Sequence, residues 1–406
     1  MKKNLLLLVL LTTLASAKSA NQVDLVVAAD GSGDFTTLTE AFQYLPYYNY
    51  QRYVILVKDG VYNEKIRIEK DFITIRGESR EGTIIQYAQL REDWQKAKDV
   101  IGPAVINIHA DDVILDNLTI KNTQPLVGPH AFTIFGSGTR TIITNCTVTS
   151  NGGDTVSLWN FKHGMYYHDN CYFEGAVDFV CPRGWCYISN STFNELKRTA
   201  AVWHAAPHNK NQKFVMRNCR FTGVDSFYLA RHHYDAQFYF LDCSFPELMQ
   251  NKSIEHVVYK DKPEKTRPFL YGERYYFDNC HRKGGDYSWY DNNLKSIGIE
   301  NEQITPQWTF DGKWNPLDTS HLKIIKKEVQ EQSLFLWFDE LVMPEGELVI
   351  QLASGKQVRY FNGGGWKRIE LRSDKPLQAS DLEGEVKLVS GNVKGVAATV
   401  LSRYLF

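Results

Sequence analysis

Short apolar strands separated by single polar turn residues recur through the middle of the chain. The segments 141–148, 166–173 and 214–221 each contain an aromatic or β-branched strand, then Asn, then Cys, then a second short strand. The turn residues of the full set lie 20 to 37 residues apart, at Asn117, Asn145, Asn170, Asn190, Asn218, Asp242 and Asn279. A unit of that length holds three short strands and no helix long enough for a βαβ crossover.

Units of this kind stack as rungs of a solenoid, in which each strand pairs with the next rung about 4.8 Å away. We therefore expect an all-β chain: a right-handed, single-stranded parallel β-helix followed by a small C-terminal β appendage. Asn suits the turns because it tolerates the left-handed backbone conformation. Its amide can also bond to the equivalent Asn of the rungs above and below.

The cysteines follow the same register. Five of them come directly after a turn residue, at Cys146, Cys171, Cys219, Cys243 and Cys280. The same side chain on successive rungs forms a column, so we expect these five to stack in the interior as free thiols. Cys181 and Cys186 lie outside the column, and the sequence leaves open whether they form a disulfide.

The two ends of the chain differ from the repeat. Tyr53–Val57 and the segment 72–76 resemble strands of the first rungs, and a helix near residues 38–45 would cap the open end of the solenoid. From about Asp318 the chain alternates short strands with glycine-containing turns. The predicted organisation is a β-helical domain over residues 18–317 and a small β-rich domain over residues 318–406.

A secretory signal peptide is predicted over residues 1–17. Lys2 and Lys3 precede an apolar run over residues 5–14 and then a small-residue triplet ending at Ala17. The run is too short to span a bilayer, so we expect cleavage near Ala17 and an extracytoplasmic (periplasmic or secreted) mature protein.

Charge narrows the range of partners. Lys plus Arg (46) nearly balances Asp plus Glu (47), so there is no basic footprint for nucleic acid or an acidic membrane surface. The aromatic content of 13% suits both a β protein and a carbohydrate surface. We expect a monomer with no nucleic-acid partner and no membrane span.

Two carboxylates are the strongest candidates for chemistry. Asp154 lies nine residues after Asn145 and Asp178 lies eight after Asn170, so both should occupy one face of consecutive rungs if a bulge absorbs the difference. Like charges so close cannot both ionise easily, so one would be a protonated acid and the other free to attack. Arg231, two rungs later, could pair with the ionised one. The alternative is an aspartate pair that is merely solvated or bonded along the solenoid.

Other candidate motifs give weaker evidence for a catalytic or binding function. The chain has no Gly-x-Ser-x-Gly elbow, and the segment 30–34 lacks the Lys and the helix of a phosphate loop, so it is read as a turn. His204 and His208 have helical spacing, but Pro207 lies between them and no third ligand is evident. We expect no metal and no cofactor.

Residues 22–316 resemble the pectin methylesterases of carbohydrate esterase family 8. The matching stretches are residues 28–35, 60–64, 152–156, 175–179 and 229–231, in the order and spacing of that family. The resemblance implies a parallel β-helix and, as substrate, a methyl-esterified galacturonan, either linear or branched. It also implies Asp178 as nucleophile, Asp154 as general acid and then base, and Arg231 as the partner that orients Asp178.

The chain departs from the family pattern in three places. The family carries glutamines that stabilise the oxyanion at the positions of His130 and Gly153, and usually Pro-Trp where this chain has His232-His233. The chain is therefore either a divergent esterase in which His130 replaces one amide, or a catalytically impaired pectin-binding protein. A third hypothesis is a calcium-dependent lyase with Arg231 as base, although no clear acidic calcium cluster is present. Phe179, Trp203, Tyr228 and His233 lie near the motifs and are the candidate substrate-binding residues.

Overall fold

The computed structural model describes residues 23–49, 51–318, 320 and 322–396. The expected signal peptide lies outside these residues. Counting described residues only, the chain divides into two compact units, one over residues 23–318 and one over residues 320–396.

The first unit is a stack of parallel strands. Each strand pairs with the equivalent strand of the next rung, so the hydrogen bonds run along the solenoid axis. The first sheet contains, in spatial order, Leu25–Val27, Tyr53–Val57, Ile73–Gly77, Ile114–Asp116, Thr141–Thr144, Met165–Asp169, Trp185–Ser189, Phe214–Arg217, Phe238–Leu241 and Tyr275–Asp278. The second contains Gly60–Asn63, Thr83–Tyr87, Thr119–Asn122, Thr147–Ser150, Tyr172–Gly175, Thr192–Glu195, Arg220–Gly223, Ser244–Phe245 and His281–Arg282. This arrangement confirms the predicted parallel β-helix.

The third sheet is interrupted in the middle. One part contains Ile66–Ile68, Ile106–Ile108, Ile134–Gly136 and Val156–Leu158, and the other contains Ala200–Trp203, Tyr228–His232 and Glu255–His256. Single bridges from Val156 to Val180 and from Val180 to Val202 join the two parts. The interruption is therefore the rung that carries Asp178.

On each rung a turn joins the first sheet to the second, and these turns stack along one edge of the solenoid, which we call the ladder edge. Its turn residues are all left-handed, with φ between 50° and 57°: Asn117, Asn145, Asn170, Asn190, Asn218, Asp242 and Asn279. The Asn170 amide donates to Asn145 Oδ1 at 2.8 Å, and Asn218 donates to Asn190 Oδ1 at 2.7 Å. The predicted bonding between rungs is confirmed for these pairs, whereas the Asn190 amide donates to Asp169 instead.

The cysteines of the column are buried and free, as expected. Cys181 and Cys186 are also buried and free, so the open question of a disulfide between them is answered in the negative. Stacked phenylalanines fill the interior beside the column, with Phe193 and Phe221 having ring centroids 4.8 Å apart. The solenoid core is thus apolar.

Helices are few and lie off the sheets. The helix Leu38–Tyr44 is capped by Thr37 and buries Leu38 and Ala41 in the solenoid core, close to the predicted bounds. The other helical segments are Arg91–Lys96, Pro306–Thr309 and the 3-10 turns Pro263–Lys265, Ser288–Tyr290, Leu294–Ile297, Asn301–Gln303 and Ala379–Leu382. No helix in the described part of the chain is long and apolar enough to cross a membrane.

The second unit is an antiparallel sheet with its own core. Its strands are Ile324–Gln330, Ser333–Gln351, Gln357–Asn362, Trp366–Arg372 and Lys387–Gly395. Ser333–Gln351 is long enough to pair with all the others, and its alternate residues Leu334, Leu336 and Phe338 point into the core. This agrees with the expected β appendage.

Candidate active site

Asp154 and Asp178 lie on consecutive rungs of the third sheet. The bridge between Val156 and Val180 sets the two aspartates opposite each other, and the Asp154 N–H donates to the Val177 carbonyl at 3.1 Å. Asp154 lies one residue farther from its turn asparagine than Asp178 does from its own. The segments just before the two aspartates absorb this difference. Both carboxylates are largely buried.

The backbone holds the aspartates in an unfavourable conformation. Asp154 has φ 58° and Asp178 has φ 55°, and Val177 before it has φ 52°. A β-branched residue at positive φ is strained, and such strain persists only where surrounding contacts hold it. Here the N–H of Asp178 donates to the Ala200 carbonyl at 2.7 Å and the N–H of Ala176 donates to the Gly152 carbonyl at 2.8 Å.

Arg231 grips Asp178 through a bidentate ion pair. Its Nε lies 2.9 Å from Oδ1 and its Nη2 lies 2.8 Å from Oδ2. Burial of the carboxyl raises the pKa of Asp178 to about 6, against the lowering effect of Arg231 and with a further contribution from the charge of Asp154. The same pairing raises the pKa of Arg231 despite its burial, so the guanidinium stays charged.

Asp154 is contacted on both oxygens. His130 Nε2 lies 3.7 Å from Oδ1, and Ser157 Oγ lies 3.4 Å from Oδ2. The His130 side chain is 49% exposed, and a bridge to Gly153 holds its backbone. Among the predicted residues, the structure thus brings together Asp154, Asp178, Arg231 and His130.

Gly153 is enclosed by backbone. A Cβ there would lie 3.0 Å from the Val177 carbonyl oxygen and 3.1 Å from that of Ala176. The Gly153 N–H already donates to the Pro129 carbonyl at 3.0 Å. This position therefore offers neither a side-chain amide nor a free backbone donor.

Ser157 is the centre of a polar network that sequence reasoning missed. Its Oγ accepts from Trp159 Nε1 at 2.5 Å and from Arg183 Nη1 at 3.3 Å, and the Cys181 thiol approaches at 3.2 Å. A hydroxyl has two acceptor lone pairs and one proton. Because the donors occupy the lone pairs, the Ser157 proton is directed to the strongest acceptor in reach, Asp154 Oδ2.

Arg183 is a second cation beside the aspartates. Its guanidinium lies between two indoles, 4.6 Å from the ring centroid of Trp159 and 4.3 Å from that of Trp203. It also donates to the Cys181 carbonyl, and its charge acts to lower the pKa of Asp178. Stacking on both faces keeps this charge in a weakly hydrated environment, where its field is little screened.

Glu195 lies fully buried beside the Asp178 turn. Burial raises the pKa of its carboxyl to about 9, although hydrogen bonds from the backbone N–H groups of Lys197 and Val177 favour the ionised form. Its Oε2 has no hydrogen-bond partner in the described structure. Glu195 is therefore neutral at neutral pH and supports the strained turn from the inside.

Three of the expected substrate-binding residues do not face solvent. Phe179 is 0% exposed and packs against Phe193 in the solenoid core, so its assignment to the substrate surface is wrong. Trp203 is 5% exposed, with Arg183 over one face, and Tyr228 is 8% exposed, with Lys252 Nζ 3.8 Å from its ring centroid. Both rings are about as little exposed as the two aspartates, and their assignment to substrate binding stays a prediction.

His233 keeps a partly exposed position at the end of Tyr228–His232. Its Nδ1 accepts from Trp203 Nε1 at 2.7 Å, so its Nε2 carries the proton and donates to Tyr259 Oη at 3.1 Å. Burial and the nearby Arg231 charge lower the pKa of His233 to about 4. The ring is thus neutral and fixed in one tautomer.

The aromatic surface that sequence reasoning missed lies on the same sheet. Phe135 and Trp159 have ring centroids 5.1 Å apart and are both partly exposed, beside the buried Phe132. Trp159 links this surface to the polar network through Ser157. Over residues 23–49, 51–318 and 322–396, no cluster of three or more His, Cys, Asp or Glu side chains is arranged to hold a metal ion.

Comparison with known proteins gives a consistent match. A family model described as Pectinesterase matches residues 24–240. The chain is 29% identical over 214 residues to putative pectinesterase 11 of Arabidopsis thaliana, covering 50% of this chain and 57% of that protein. It is also 29% identical over 209 residues to pectinesterase 31 of the same plant, covering 49% and 60%. The chain thus spans less than two thirds of the length of these relatives.

Solved structures resemble the fold. A pectin methylesterase in complex with a hexasaccharide superimposes with a TM-score of 0.58 at 21% identity, covering 73% of this chain and 99% of that one. Pectin methylesterase PemA from Erwinia chrysanthemi gives 0.57 at 21% identity, over 73% and 99%. The carrot enzyme gives 0.58 at 20% identity, over 73% and 96%. Identities this low support the β-helical fold alone.

Proposed function

Because the chain belongs to the pectinesterase family, we propose that it hydrolyses methyl esters of galacturonate in pectin. The observation that carries this proposal is the pairing of Asp154 with Asp178 on consecutive rungs, with Asp178 gripped by Arg231. An ionised carboxylate beside a second carboxyl group can supply both the nucleophile and the general acid of covalent ester hydrolysis.

In the proposed reaction Asp178 attacks the ester carbonyl carbon. The tetrahedral intermediate collapses as Asp154 gives its proton to the departing methoxide, which leaves as methanol. The resulting anhydride joins Asp178 to the sugar. Asp154, now ionised, takes a proton from water as the hydroxide attacks the acyl carbon, and collapse releases the free acid, Asp178 and a protonated Asp154.

The polar network favours one oxygen of Asp154 as the carrier of the proton in this proposal. The Ser157 proton engages Oδ2, so the proton that Asp154 exchanges belongs on Oδ1, the oxygen that faces His130. His130 Nε2 is then close enough to the reacting groups to donate to the oxyanion, in place of the family's glutamine. Trp159 and Phe135 would offer ring faces to the flanking sugars.

The reaction should depend on pH through Asp178. Its carboxylate is the nucleophile, and burial raises its pKa to about 6. The rate of methanol release should therefore rise with pH through about 6 as Asp178 ionises.

A second candidate is a pectin-binding protein without turnover. It is favoured by the absence of a side-chain amide at both His130 and Gly153, and by the backbone carbonyls that lie 3.0 and 3.1 Å from where a Cβ at Gly153 would be. Loss of an oxyanion donor costs about 10²–10³ in rate. Such a protein would keep the groove and bind pectic oligosaccharides.

One experiment separates the two candidates. The full chain and the Asp178→Asn variant are incubated with highly methylated and with branched pectins, and methanol is measured. We expect release by the parent and none by the variant. Methanol at the variant's level on every pectin would exclude the esterase, and calorimetric binding of pectic oligosaccharides that is unchanged in Asp178→Asn would then support the binding protein.

We also propose that the chain is exported, with residues 1–17 removed. A substrate in plant cell walls lies outside the cytoplasm, which agrees with the sequence of the N-terminal segment. N-terminal sequencing of the protein secreted by its source tests this, and a mature protein that begins at Met1 would contradict it.

A further inference from the structure

Arg183 is a buried cation without an ion pair. The residue is 9% exposed, and its Nε is buried with no hydrogen-bond partner in the described structure. Asp178 pairs with Arg231 instead, at 2.8 Å, and in the described part of the chain no carboxylate lies within ion-pair distance of Arg183. A guanidinium keeps its proton in a protein, so the charge remains despite the cost of burying it.

Aromatic rings hold this cation in place. The guanidinium carbon lies 4.6 Å from the ring centroid of Trp159, 4.3 Å from that of Trp203 and 5.9 Å from that of Phe161. Its Nη1 donates to the Cys181 carbonyl at 2.5 Å. The two indoles keep water away from the guanidinium, so its charge is little screened.

The held charge lies beside the two aspartates. Ser157 Oγ is 3.3 Å from Arg183 Nη1 and 3.4 Å from Asp154 Oδ2, so one hydroxyl separates the guanidinium from Asp154. Burial raises the pKa of Asp178 to about 6, whereas Arg231, to a larger extent, and Arg183, to a smaller one, act to lower it. Two cations therefore favour the ionised form of one carboxyl group.

Most other groups that face Arg183 or Asp178 are neutral near pH 6, because burial disfavours their charged forms. Burial raises the pKa of Glu195 to about 9, and it lowers that of His204 to about 3 and that of His233 to about 4. The remaining neighbours are Tyr166 and Cys181, whose pKa burial also raises, the ion pair of Lys252 with Glu255, and the His130 imidazole beside Asp154. The charges that decide the ionisation of Asp178 are therefore those of Arg231, Arg183 and Asp154.

We propose that Arg183 is a positioning residue that keeps Asp178 as the carboxylate. The inference rests on the proposed function, in which Asp178 is the nucleophile, and a carboxyl group attacks only when it is ionised. Arg231 already donates to both oxygens of Asp178, and a second ion pair would occupy the lone pairs needed for attack. A cation that rings hold apart from the carboxylate acts through its field alone, so it favours ionisation and leaves the attacking oxygen accessible.

The titration of Asp178 tests this without turnover. The full chain carrying Asp154→Asn is labelled with carbon-13 at its aspartate carboxyl groups, and the Asp178 signal is identified by its loss in Asp178→Asn. Arg183→Met removes the charge and keeps a long side chain between the rings, so the Asp178 midpoint should rise by about one pH unit. Arg183→Lys should titrate closer to the parent. Arg220→Met, at an exposed arginine of the second sheet, is the matched control and should leave the midpoint unchanged.

Methanol release gives a second readout in the chain that retains Asp154. A midpoint that moves from about 6 to about 7 lowers the ionised fraction of Asp178 at pH 6 from about half to about a tenth. Arg183→Met should therefore lower kcat about fivefold at pH 6, and the loss should shrink as pH rises. A loss of equal size at every pH would indicate a structural role and would overturn the inference.

The titration also separates this inference from the esterase proposal. Equal Asp178 midpoints in Arg183→Met and its parent would overturn the role of Arg183, whether or not the chain releases methanol. An equal shift in Arg220→Met would overturn it too, since net charge would then be the cause. A shift confined to Arg183→Met in a chain that releases no methanol would support the effect on ionisation and contradict the esterase.

A second variant keeps the test open if circular dichroism shows that Arg183→Met does not fold. Trp159→Leu retains the cation and opens one face of the guanidinium to water, which screens its charge. The Asp178 midpoint should then rise by less than one unit and should rise further with added salt. A midpoint that equals the parent's at every salt concentration would overturn the inference.

Discussion

Two edges of the solenoid have the same backbone and opposite chemistry. On the ladder edge, Asn145 and Asn170 are left-handed residues on consecutive rungs, with φ 54° and 52°. On the other edge, Asp154 and Asp178 are also left-handed on consecutive rungs, with φ 58° and 55°. The asparagines bond to each other along the stack, whereas the two carboxylates have no proton donor to share unless one of them is protonated.

The difference shows how a repetitive fold makes room for chemistry. An amide is both donor and acceptor, so a column of asparagines satisfies itself and leaves nothing reactive. A pair of carboxylates must find partners elsewhere, and here Asp178 turns to Arg231 while Asp154 turns to Ser157 and His130. The proposed reactive pair thus lies where carboxylates replace the amides that satisfy one another along the stack.

The strongest test of the difference between the two edges is to place an amide on the aspartate edge, as on the ladder edge. Asp154→Asn places an amide next to Asp178, so it can donate to that carboxylate as the ladder amides do but can no longer exchange a proton. Methanol release should fall about 10²–10⁴-fold, the usual contribution of a general acid–base group. Thermal stability should stay the same or rise.

The matched control for Asp154→Asn is Asp242→Asn. It is the same substitution at a left-handed turn of the ladder edge, with φ 55°. An amide oxygen there can still accept from Asn279, while the ion pair with Arg217, at 3.1 Å, is lost. Its methanol release should equal that of the parent. Activity of Asp154→Asn within tenfold of the parent would show that Asp154 is not the proton carrier.

His130 tests whether a single side chain has replaced the missing amides. His130→Ala should lower methanol release about 10²-fold, because the oxyanion loses a donor. His130→Gln, which restores the residue usual in the family, should recover most of the rate because an amide N–H can donate to the oxyanion. His281→Ala, at an exposed histidine of the second sheet, is the control. Parent-like release by His130→Ala would leave His130 as a groove residue only.

Glu195, which lies beside the strained turn, should make the stability of the fold depend on pH. Its carboxyl has a pKa near 9 when buried, against an ordinary value of 4.5, so the folded chain keeps a proton that the unfolded chain loses between these values. Its contribution to stability is complete below about pH 4.5 and is lost as pH rises toward 9, at up to about 1.4 kcal/mol per unit.

Glu195→Gln should flatten this dependence. Between pH 5 and pH 8, the free energy of unfolding measured in urea should fall by about 3–4 kcal/mol less in Glu195→Gln than in the parent. Glu174→Gln, on the neighbouring strand, should retain the parent's slope. Equal slopes in the parent and in Glu195→Gln would mean that the carboxyl is already ionised in the folded chain.

Ser157 tests whether the orientation of Asp154 depends on a hydrogen bond to its Oδ2 atom. Ser157→Ala removes the hydroxyl whose proton is directed to Asp154 Oδ2 at 3.4 Å, and a hydrogen bond between neutral groups contributes about 0.5–1.5 kcal/mol. We expect kcat to fall by up to about tenfold with little change in KM, and Ser157→Thr, which keeps the hydroxyl, to recover most of it. A change in KM alone would indicate that Ser157 contributes to binding rather than to the orientation of Asp154.

The smallest effect belongs to the ladder edge. Asn170→Asp replaces the amide that donates to Asn145 with an acceptor, so one stacked hydrogen bond is lost and two oxygens face each other. Stability should drop by about 1–2 kcal/mol while methanol release at low temperature stays unchanged. A fall in activity without a fall in stability would contradict the separation of the two edges.

The repeat was predictable because its signals are local. Each Asn turn and the Cys after it lie within one short segment, so stacking follows from the sequence alone and the structure confirms it at Asn145 and Asn170. The spacing of Asp154 and Asp178 from their turns was informative for the same reason.

The polar network was not predictable, because its contacts cross rungs of unequal length. Ser157 meets Arg183 only through the pairing of one rung with the next, and 26 residues separate them. Burial of Phe179 was missed because the alternation of inward and outward residues restarts after the left-handed Asp178. The sequence does not reveal the strand register after that turn, so it does not show which residues there face the core.

The free thiols set a condition on how this chain reaches its native state. All seven cysteines are buried, and burial raises the pKa of those at Cys171, Cys181, Cys186 and Cys243 well above that of a free thiol, so the folded protein is inert toward oxidants. During folding, each thiol stays accessible until the next rung covers it. In an oxidising compartment, burial of the thiols by successive rungs therefore competes with thiol–disulfide exchange. The yield of native protein depends on which of the two processes is faster.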